Sequence, residues 1–342
     1  MNKSVIAIAV TGILAAPFAA QAETTVFGKV HMSAGMIEET DSTQTPTTVT
    51  DNAQLRSHAS RLGVKGEHDL GEGMKAKYHI EFEVNPDSDN KGSTAGNDGT
   101  AGLKRRNQWA GIGAGWGEVR VGRHDTPLKM AQGKFDQFND TDADISGHYK
   151  ISQGDLRLDN VIAYIGKFDK LTVAAAFQAG EGDGKKTADG GTGTGDSLAD
   201  TTSIAVSYKA GPLFVSAAMD NYDNTEGQET DSLSRVVATY KIGAIQLGAL
   251  VESGGNGGKS ADKDVSGVSF GMGLGQGKIK AQYVTGKNNA TTATEETQSS
   301  VGYDMKLSKQ VTGYVMYTTA EEKTGTAKKE YTFTGAGLIV KF

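Results

Sequence analysis

The sequence predicts an all-β protein, a sixteen-stranded antiparallel transmembrane β-barrel with one loop, the third long one, folded inward. Three observations carry that expectation. Short runs of alternating apolar and polar residues recur along almost the whole chain, the links between them alternate strictly between tight and long, and the chain ends on an aromatic residue that completes an apolar face. A helical membrane protein is excluded, because past the first residues nothing approaches the roughly 18 apolar residues in a row that a spanning helix needs.

The first residues set the compartment. Lys3 gives a positive start, Val5 to Phe18 is an apolar run, and Ala20-Gln21-Ala22 is a small-residue cleavage site. Residues 1–22 therefore read as a signal peptide and 23–342 as the barrel. The run is too short, and its end too clearly a cleavage site, for a membrane anchor. Without the leader the chain keeps 34 basic against 41 acidic residues, a formal charge of −7. No basic face or arm is evident, which argues against a nucleic-acid partner. The absence of cysteine removes disulfides and thiolate metal sites.

In the first strand Val26, Gly28, Val30 and Met32 fall on one face, while Phe27, Lys29, His31 and Ser33 fall on the other. In 73–85, Met74, Ala76, Tyr78, Ile80, Phe82 and Val84 alternate with Lys75, Lys77, His79, Glu81 and Glu83. A face charged that regularly meets water, so those five residues are expected to line the lumen. Leu171, Val173, Ala175 and Phe177 repeat the template, as do Ile245 to Val251, Ile279 to Tyr283 and Val311 to Tyr317. The full set of runs is 24–34, 54–68, 73–85, 103–114, 117–123, 155–165, 170–180, 200–209, 212–221, 231–241, 244–252, 263–274, 277–287, 297–307, 310–320 and 330–342.

Their connections explain why a barrel is preferred to a soluble sandwich. Tight links stand near Asp69 to Glu72, Gly115-Trp116, Gly166 to Asp169, Ala210-Gly211, Ile242-Gly243, Gly275-Gln276 and Ser308-Lys309. Long polar ones occupy 35–53, 86–102, the stretch after residue 123, 181–199, 222–230, 253–262, 288–296 and 321–329. The two ends of the meander thus face different surroundings. In a bilayer every backbone N–H and C=O must be paired inside the protein, so such strands must close on themselves. An even strand number with both termini on the short-turn side follows for a bacterial single-chain barrel. Leu338, Val340 and Phe342 finish the outward face at the terminus.

The stretch from Arg123 to Arg157 is the one long break in the pattern. It carries Asp136, Asp140, Asp142 and Asp144 without either period. The chain also holds Thr25-Val-Phe-Gly-Lys29, Ser60-Arg-Leu-Gly-Val-Lys-Gly-Glu67 and Leu70-Gly-Glu-Gly-Met-Lys-Ala76. Trp109-Ala-Gly-Ile112, Gly117-Glu-Val-Arg-Val-Gly-Arg123, Arg157 through Asn160 to Tyr164 and Gly337-Leu-Ile-Val-Lys-Phe342 complete a set that resembles the general diffusion porins of Gram-negative outer membranes, in particular the trimeric sixteen-stranded type. The resemblance spans nearly the whole chain. It departs at one place: a Pro-Glu-Phe-Gly-Gly turn common at the tip of the third loop is replaced by Gln132-Gly-Lys-Phe-Asp-Gln-Phe138.

The resemblance implies that the loop at about 124–154 folds inward and narrows a pore. Acidic residues on it, Asp136 and Asp140 foremost and with them Asp142 and Asp144, would face a basic ladder of Lys29, Arg61, Arg106 and Arg157. Period two agrees for Lys29 and Arg61, whose neighbours Val30 and Leu62 point outward, and for Arg157 through Leu158, Ile162 and Tyr164. Arg105 replaces Arg106 if the glycines between Trp109 and Gly117 hold a bulge. The implied function is a water-filled channel for passive diffusion of small hydrophilic solutes and ions, in a homotrimer surrounded by outer-membrane lipid and lipopolysaccharide. The other reading is a structural or adhesive outer-membrane barrel whose surface loops bind a partner.

Catalysis finds no support. His31, His58, His68, His79, His124 and His148 show no H-E-x-x-H spacing, and no G-x-S-x-G elbow occurs. The Gly-rich stretch Gly180 to Gly195 lacks both a Walker pattern and calcium-repeat aspartates, so it reads as a surface loop. No cofactor, metal site or catalytic residue is expected.

Overall fold

The computed structural model describes residues 24–87, 103–179, 199, 201–222, 231–255 and 262–342. The leader and the Gly180–Gly195 stretch lie outside the described residues. The strands are β1 (Thr25–Asp41), β2 (Thr48–Ser57), β3 (Arg61–Gly71), β4 (Met74–Val84), β5 (Leu103–Ala114), β6 (Gly117–Asp125), β7 (Arg157–Phe168), β8 (Leu171–Gln178) and β9 (Thr201–Ala210). They continue as β10 (Leu213–Tyr222), β11 (Asp231–Ile242), β12 (Ile245–Gly254), β13 (Lys263–Leu274), β14 (Gly277–Asn288), β15 (Thr294–Lys306), β16 (Val311–Thr324) and β17 (Ala327–Lys341).

Apart from β2 and β3, every strand pairs antiparallel with its chain neighbours, and β1 returns to β17, so the sheet is closed. β2 and β3 are halves of one stave. The end of β1 from Met32 pairs with β2, and its beginning, Thr25 to Lys29, pairs with β3. The stave breaks at His58 to Ser60, where Ala59 takes φ +46°. The seventeen segments thus make sixteen staves.

Three expectations are corrected. The long loops at 35–53 and 321–329 are largely strand: β1 runs on to Asp41 and β2 begins at Thr48, while β16 runs on to Thr324 and β17 begins at Ala327. Glu38 to Asp41 and, apart from Val49, Thr48 to Asn52 are polar on both faces, so period two is silent there, yet the ladder needs only backbone groups. The stretch after residue 123 also contains a helix, α1 (Pro127–Ala131).

Alternation sorts the wall. Val26, Val30, Leu62, Ile80, Val121, Val206, Val236, Val251, Val268, Val301 and Val315 are exposed on the outside. On the short-turn side Trp116 stacks on Tyr164 at 6.4 Å, and the Tyr164 hydroxyl donates to the Trp116 carbonyl at 2.6 Å. That is how an aromatic girdle sits where lipid meets water. Gly211, Gly243 and Gly275 open two-residue hairpins at φ +54° to +58°, which glycine reaches without strain.

The terminal residue joins the seam. The Gly28 N–H donates to the Phe342 carbonyl at 3.0 Å, and the Phe342 N–H donates to the Gly28 carbonyl at 3.1 Å. A Cβ on Gly28 would lie 2.5 Å from the Phe342 ring and 2.6 Å from the Arg61 carbonyl oxygen, which cannot move without breaking the ladder. Gly28→Ala should therefore destabilise the barrel by about 1–3 kcal/mol, as overpacking does. Its midpoint of urea unfolding should fall further than that of the chain lacking Phe342, which loses contacts without gaining a clash. Equal midpoints for Gly28→Ala and the parent protein would contradict this account of the seam.

Candidate functional site

The 126–156 segment between β6 and β7 lies against the inner wall. Its helix starts because the Thr126 hydroxyl accepts from the Lys129 N–H at 3.2 Å and Pro127 suits the first turn. Leu128 and Ala131 then pack on Ala174, Ala205, Ala218 and Leu233, small or branched inward positions of β8 to β11. Next, Phe135, Ile145 and Ile151 cover Val237, Leu250, Val265 and Val284 of β11 to β14. Farther round, Phe138 and Ala143 meet Ile37, Tyr314, Met316 and Phe333. These seven loop residues are 0–2 % exposed, so the hydrophobic core lies between loop and wall.

A buried charge pair ties down both ends of the loop. Arg235 and Glu252 have side chains at 0 % exposure and meet at 2.7 Å. Arg235 donates to the Leu128 carbonyl at 3.2 Å, the Ser152 hydroxyl at 3.1 Å and the Gln153 carbonyl. Glu252 accepts from Ser152 Oγ at 2.9 Å and the Gln153 N–H at 2.7 Å. One wall pair therefore holds the loop near its start and near its end, with its own hydrogen-bonding capacity largely met.

Opposite this anchor the loop meets charge. Lys29 and Arg61 stand directly across from one another in the β1–β3 ladder, a like-charge pairing that is unfavourable alone. Asp140 supplies the counter-charge, bonding Lys29 Nζ at 2.6 Å and the Arg61 guanidinium. The chain of opposite signs continues: Arg61 lies 3.7 Å from Glu81, Glu81 bonds Arg106, and Arg106 reaches Glu83 at 2.9 Å. Asp140 takes φ +57°, a left-handed turn that aspartate tolerates, and its N–H is capped by Asp144 at 2.8 Å. Burial works against its charge, but Arg61, Lys29 and Arg106 outweigh burial and hold its carboxyl down at about 2.

The four loop aspartates separate into different tasks. Asp142 faces the wall but is fully covered: it pairs with Arg56 at 2.7 Å and His58 at 3.2 Å and accepts from Tyr331 at 3.4 Å. Its carboxyl is lowered, with His58 and Arg56 overcoming burial. The expectation that Asp136 faces the basic ladder is corrected. Its carboxylate accepts from the Phe138 N–H at 2.8 Å, the Ile145 N–H at 3.4 Å and Gln282 at 3.0 Å, knotting the loop to β14. Asp144 likewise caps the loop, accepting from Asn139, Asp140 and Ser146. Burial raises both carboxyls, and the charge of Asp144 raises Asp136 further.

On the wall, Arg157 bonds Asp125 at 2.9 Å and Asn107 at 3.2 Å at the root of the loop rather than Asp140. Arg106, not Arg105, joins the cluster. The β4–β5 ladder steps from Ile80 opposite Gln108 to Phe82 opposite Arg105, so the bulge falls at Arg106 and Asn107 themselves. Arg105 is exposed and pairs with Asp159 at 3.4 Å. Lys75, Lys77, His79, Glu81 and Glu83 share the inward face of β4. Lys77 pairs with Glu118 at 2.8 Å and Lys75 with Glu67. Arg56, His58, Arg235 and Glu252 were missed by sequence reasoning. A signal existed, because the inward positions Val237, Leu250, Val265 and Val284 are apolar where a water-filled barrel should be polar.

Residues 5–325 match a family model described as Gram-negative porin. Outer membrane porin protein 32 of Delftia acidovorans is 27 % identical over 333 residues, 92 % of this chain and 88 % of that one. Major outer membrane protein P.IB of Neisseria meningitidis is 26 % identical over the full length of both chains. The anion-selective porin from Comamonas acidovorans superposes with a TM-score of 0.68 at 20 % identity, over 94 % of this chain and all of the other. A trimer form of OmpT from Vibrio cholerae, an outer membrane protein, superposes at 0.64 with 14 % identity over 94 % of this chain and all of that one.

Two outcomes follow from this geometry. Arg235→Met leaves the Glu252 charge buried without an opposite charge, a loss of about 3–5 kcal/mol, whereas adding Glu252→Leu should recover most of it. Unfolding midpoints test the cycle, and equal losses in the single and double variants would contradict it. For Asp140, a folded-state value below the ordinary 3.8 means a stabilising contribution complete above about 3.8 and lost as pH falls through about 2. The difference in reversal potential between the parent and Asp140→Asn should hold constant from pH 6 to near 4 and fall to about half as the pH reaches about 2. Disappearance already at pH 5 would show that the carboxyl is not held down by its partners.

Proposed function

The chain belongs to the Gram-negative porin family, and we propose that the solute filter of this outer-membrane porin is the charged arc formed by Asp140 with Lys29, Arg61, Arg106, Glu81 and Glu83. The single observation that carries this reading is Asp140, a loop carboxylate set between two wall cations that face each other in register. Fixed charges of both signs side by side create a field across a wet gap. Such a field orients dipolar solutes and disfavours bulky apolar ones, whose hydration the gap cannot replace. Passage is passive, and no bond of the solute is made or broken. Arg157, bonded to Asp125, shapes the rim of the loop rather than the arc.

Three copies of the chain assemble in the outer membrane in this proposal, with lipid and lipopolysaccharide around the trimer. The trimer form of the Vibrio cholerae protein supports that assembly by analogy of fold. Sedimentation of the detergent-solubilised protein tests it, and a monomeric mass in mild detergent would overturn it.

Planar-bilayer recording tests the filter. Stepwise ohmic conductance is expected from the parent protein. Asp140→Asn should move the reversal potential in a salt gradient toward anion preference, by about fivefold in permeability ratio, the effect of a unit charge near 4 Å in water. Arg61→Ala and Arg106→Ala should move it the other way and enlarge the conductance. Unchanged reversal potentials in all three would remove the arc from the solute path.

A further inference from the structure

A second charged feature lies at the short-turn end of the lumen, away from the arc. It is a recess of 410 Å³ between β4, β5, β6 and β7, lined by Lys75, Lys77, Arg120, Lys167 and Glu118. The hollow exists because the inward positions of β5 below Trp109 are Gly111 and Gly113. A Cβ on Gly111 would lie 3.1 Å from Arg120 Cγ, and one on Gly113 would lie 3.1 Å from Glu118 Cβ. Bare backbone lets those two side chains lie back across the strand.

We propose that this recess binds a small divalent tetrahedral oxyanion, phosphate or sulfate, on its way through the lumen. The proposal rests on the lumen being open to solutes. Four cations line the recess against one carboxylate. Glu118 draws two of them to one point, Lys77 at 2.8 Å and Arg120 at 2.6 Å from its two oxygens. Lys75 is occupied by Glu67, and Lys167 is exposed and forms no ion pair with the described residues. The lining residues with Glu67 therefore leave an excess of two positive charges, part of which Asp69 offsets from its place opposite Lys75 in the β3–β4 ladder.

The donors are equally in excess. An ammonium offers three N–H groups and a guanidinium five, and Glu118 consumes one of each. Arg120 spends one further nitrogen on His124 Nε2 at 3.0 Å. Because Lys77 and Arg120 already converge on one carboxylate, a compact anion beside it meets both without rearrangement. A long, single-charged solute would leave most of the excess unanswered. Short turns mark the periplasmic side of such barrels, so the site faces the periplasm.

The chain carries its own reporter. Of its two tryptophans, Trp109 lies under the Arg120 guanidinium at 4.0 Å from the ring centroid, and Trp116 sits in the adjoining turn. With Trp116→Phe as background, titration of the detergent-solubilised full-length protein with sodium sulfate, and separately with sodium phosphate at pH 8, should change Trp109 emission saturably. Sodium chloride at matched ionic strength should not. Lys167→Gln, which breaks no ion pair among the described residues, should weaken binding of both anions about fivefold. Glu118→Gln should tighten it by removing the competing carboxylate.

Saturation by phosphate but not sulfate would overturn the assignment to tetrahedral dianions as a class. A signal absent for both, equal with chloride, or unchanged in Lys167→Gln would overturn the site. Because emission reads binding without conduction, stepwise conductance with no saturable signal removes only the recess. A saturable signal without conductance removes the channel and keeps the site.

Discussion

A peptide group inside a bilayer has to find its hydrogen-bond partner within the protein, and that constraint organises this molecule. It is met at the seam, where β1 pairs along most of its length with β17 and the Phe342 and Gly28 backbones bond reciprocally. Once the ring is closed, the register of every stave is fixed, and register decides which side chains share a face. Lys29 and Arg61 stand opposite each other for this reason alone. Nothing in their own chemistry favours the meeting, so the wall contains a local electrostatic debt that another part of the chain must settle.

The loop settles it, but what holds the loop is hydrophobic. A barrel of this width leaves its interior to water and has no core of its own. Its most buried apolar residues, Leu128, Phe135, Phe138, Ile145 and Ile151 with Val237, Leu250 and Phe333, all lie at the loop–wall contact. Glycine at inward positions of β12 and β13 makes room for the Phe135 ring, since a Cβ on Gly267 would lie 2.8 Å from it. Packing sets the position of the loop, the Arg235–Glu252 pair fixes its two ends, and Asp140 is thereby delivered to Lys29 and Arg61.

Much of this was legible in the sequence because a membrane wall writes its geometry in period two. All sixteen staves overlap the runs read from alternation, and the inward face of β4 falls on the residues that alternation named. What failed did so for definite reasons. Apart from Val49, the outer ends of β1 and β2 are polar on both faces, so the pattern that marks a strand in lipid is missing where the strand continues in water. The bulge at Arg106 and Asn107 shifts register without a glycine to announce it. Asp136 and Asp140 are indistinguishable by composition. Their difference comes from the turn at φ +57° and from Gln282 on a strand more than a hundred residues away.

Exposure separates the charges that hold the structure from those a solute can meet. Arg235 and Glu252, with no accessible side-chain surface, act on each other and on the loop they hold and give nothing to the lumen. Lys75 and Glu67, at 47 % and 45 %, are so well hydrated that their pairing contributes little to stability. Lys29 and Asp140, at 13 % and 23 %, lie between these limits. They are dry enough for geometry to be fixed by the pair, yet wet enough for their field to reach the aqueous gap. A filter needs that intermediate regime: charges wholly buried act only on the protein, and charges wholly hydrated are screened within about 8 Å at physiological salt.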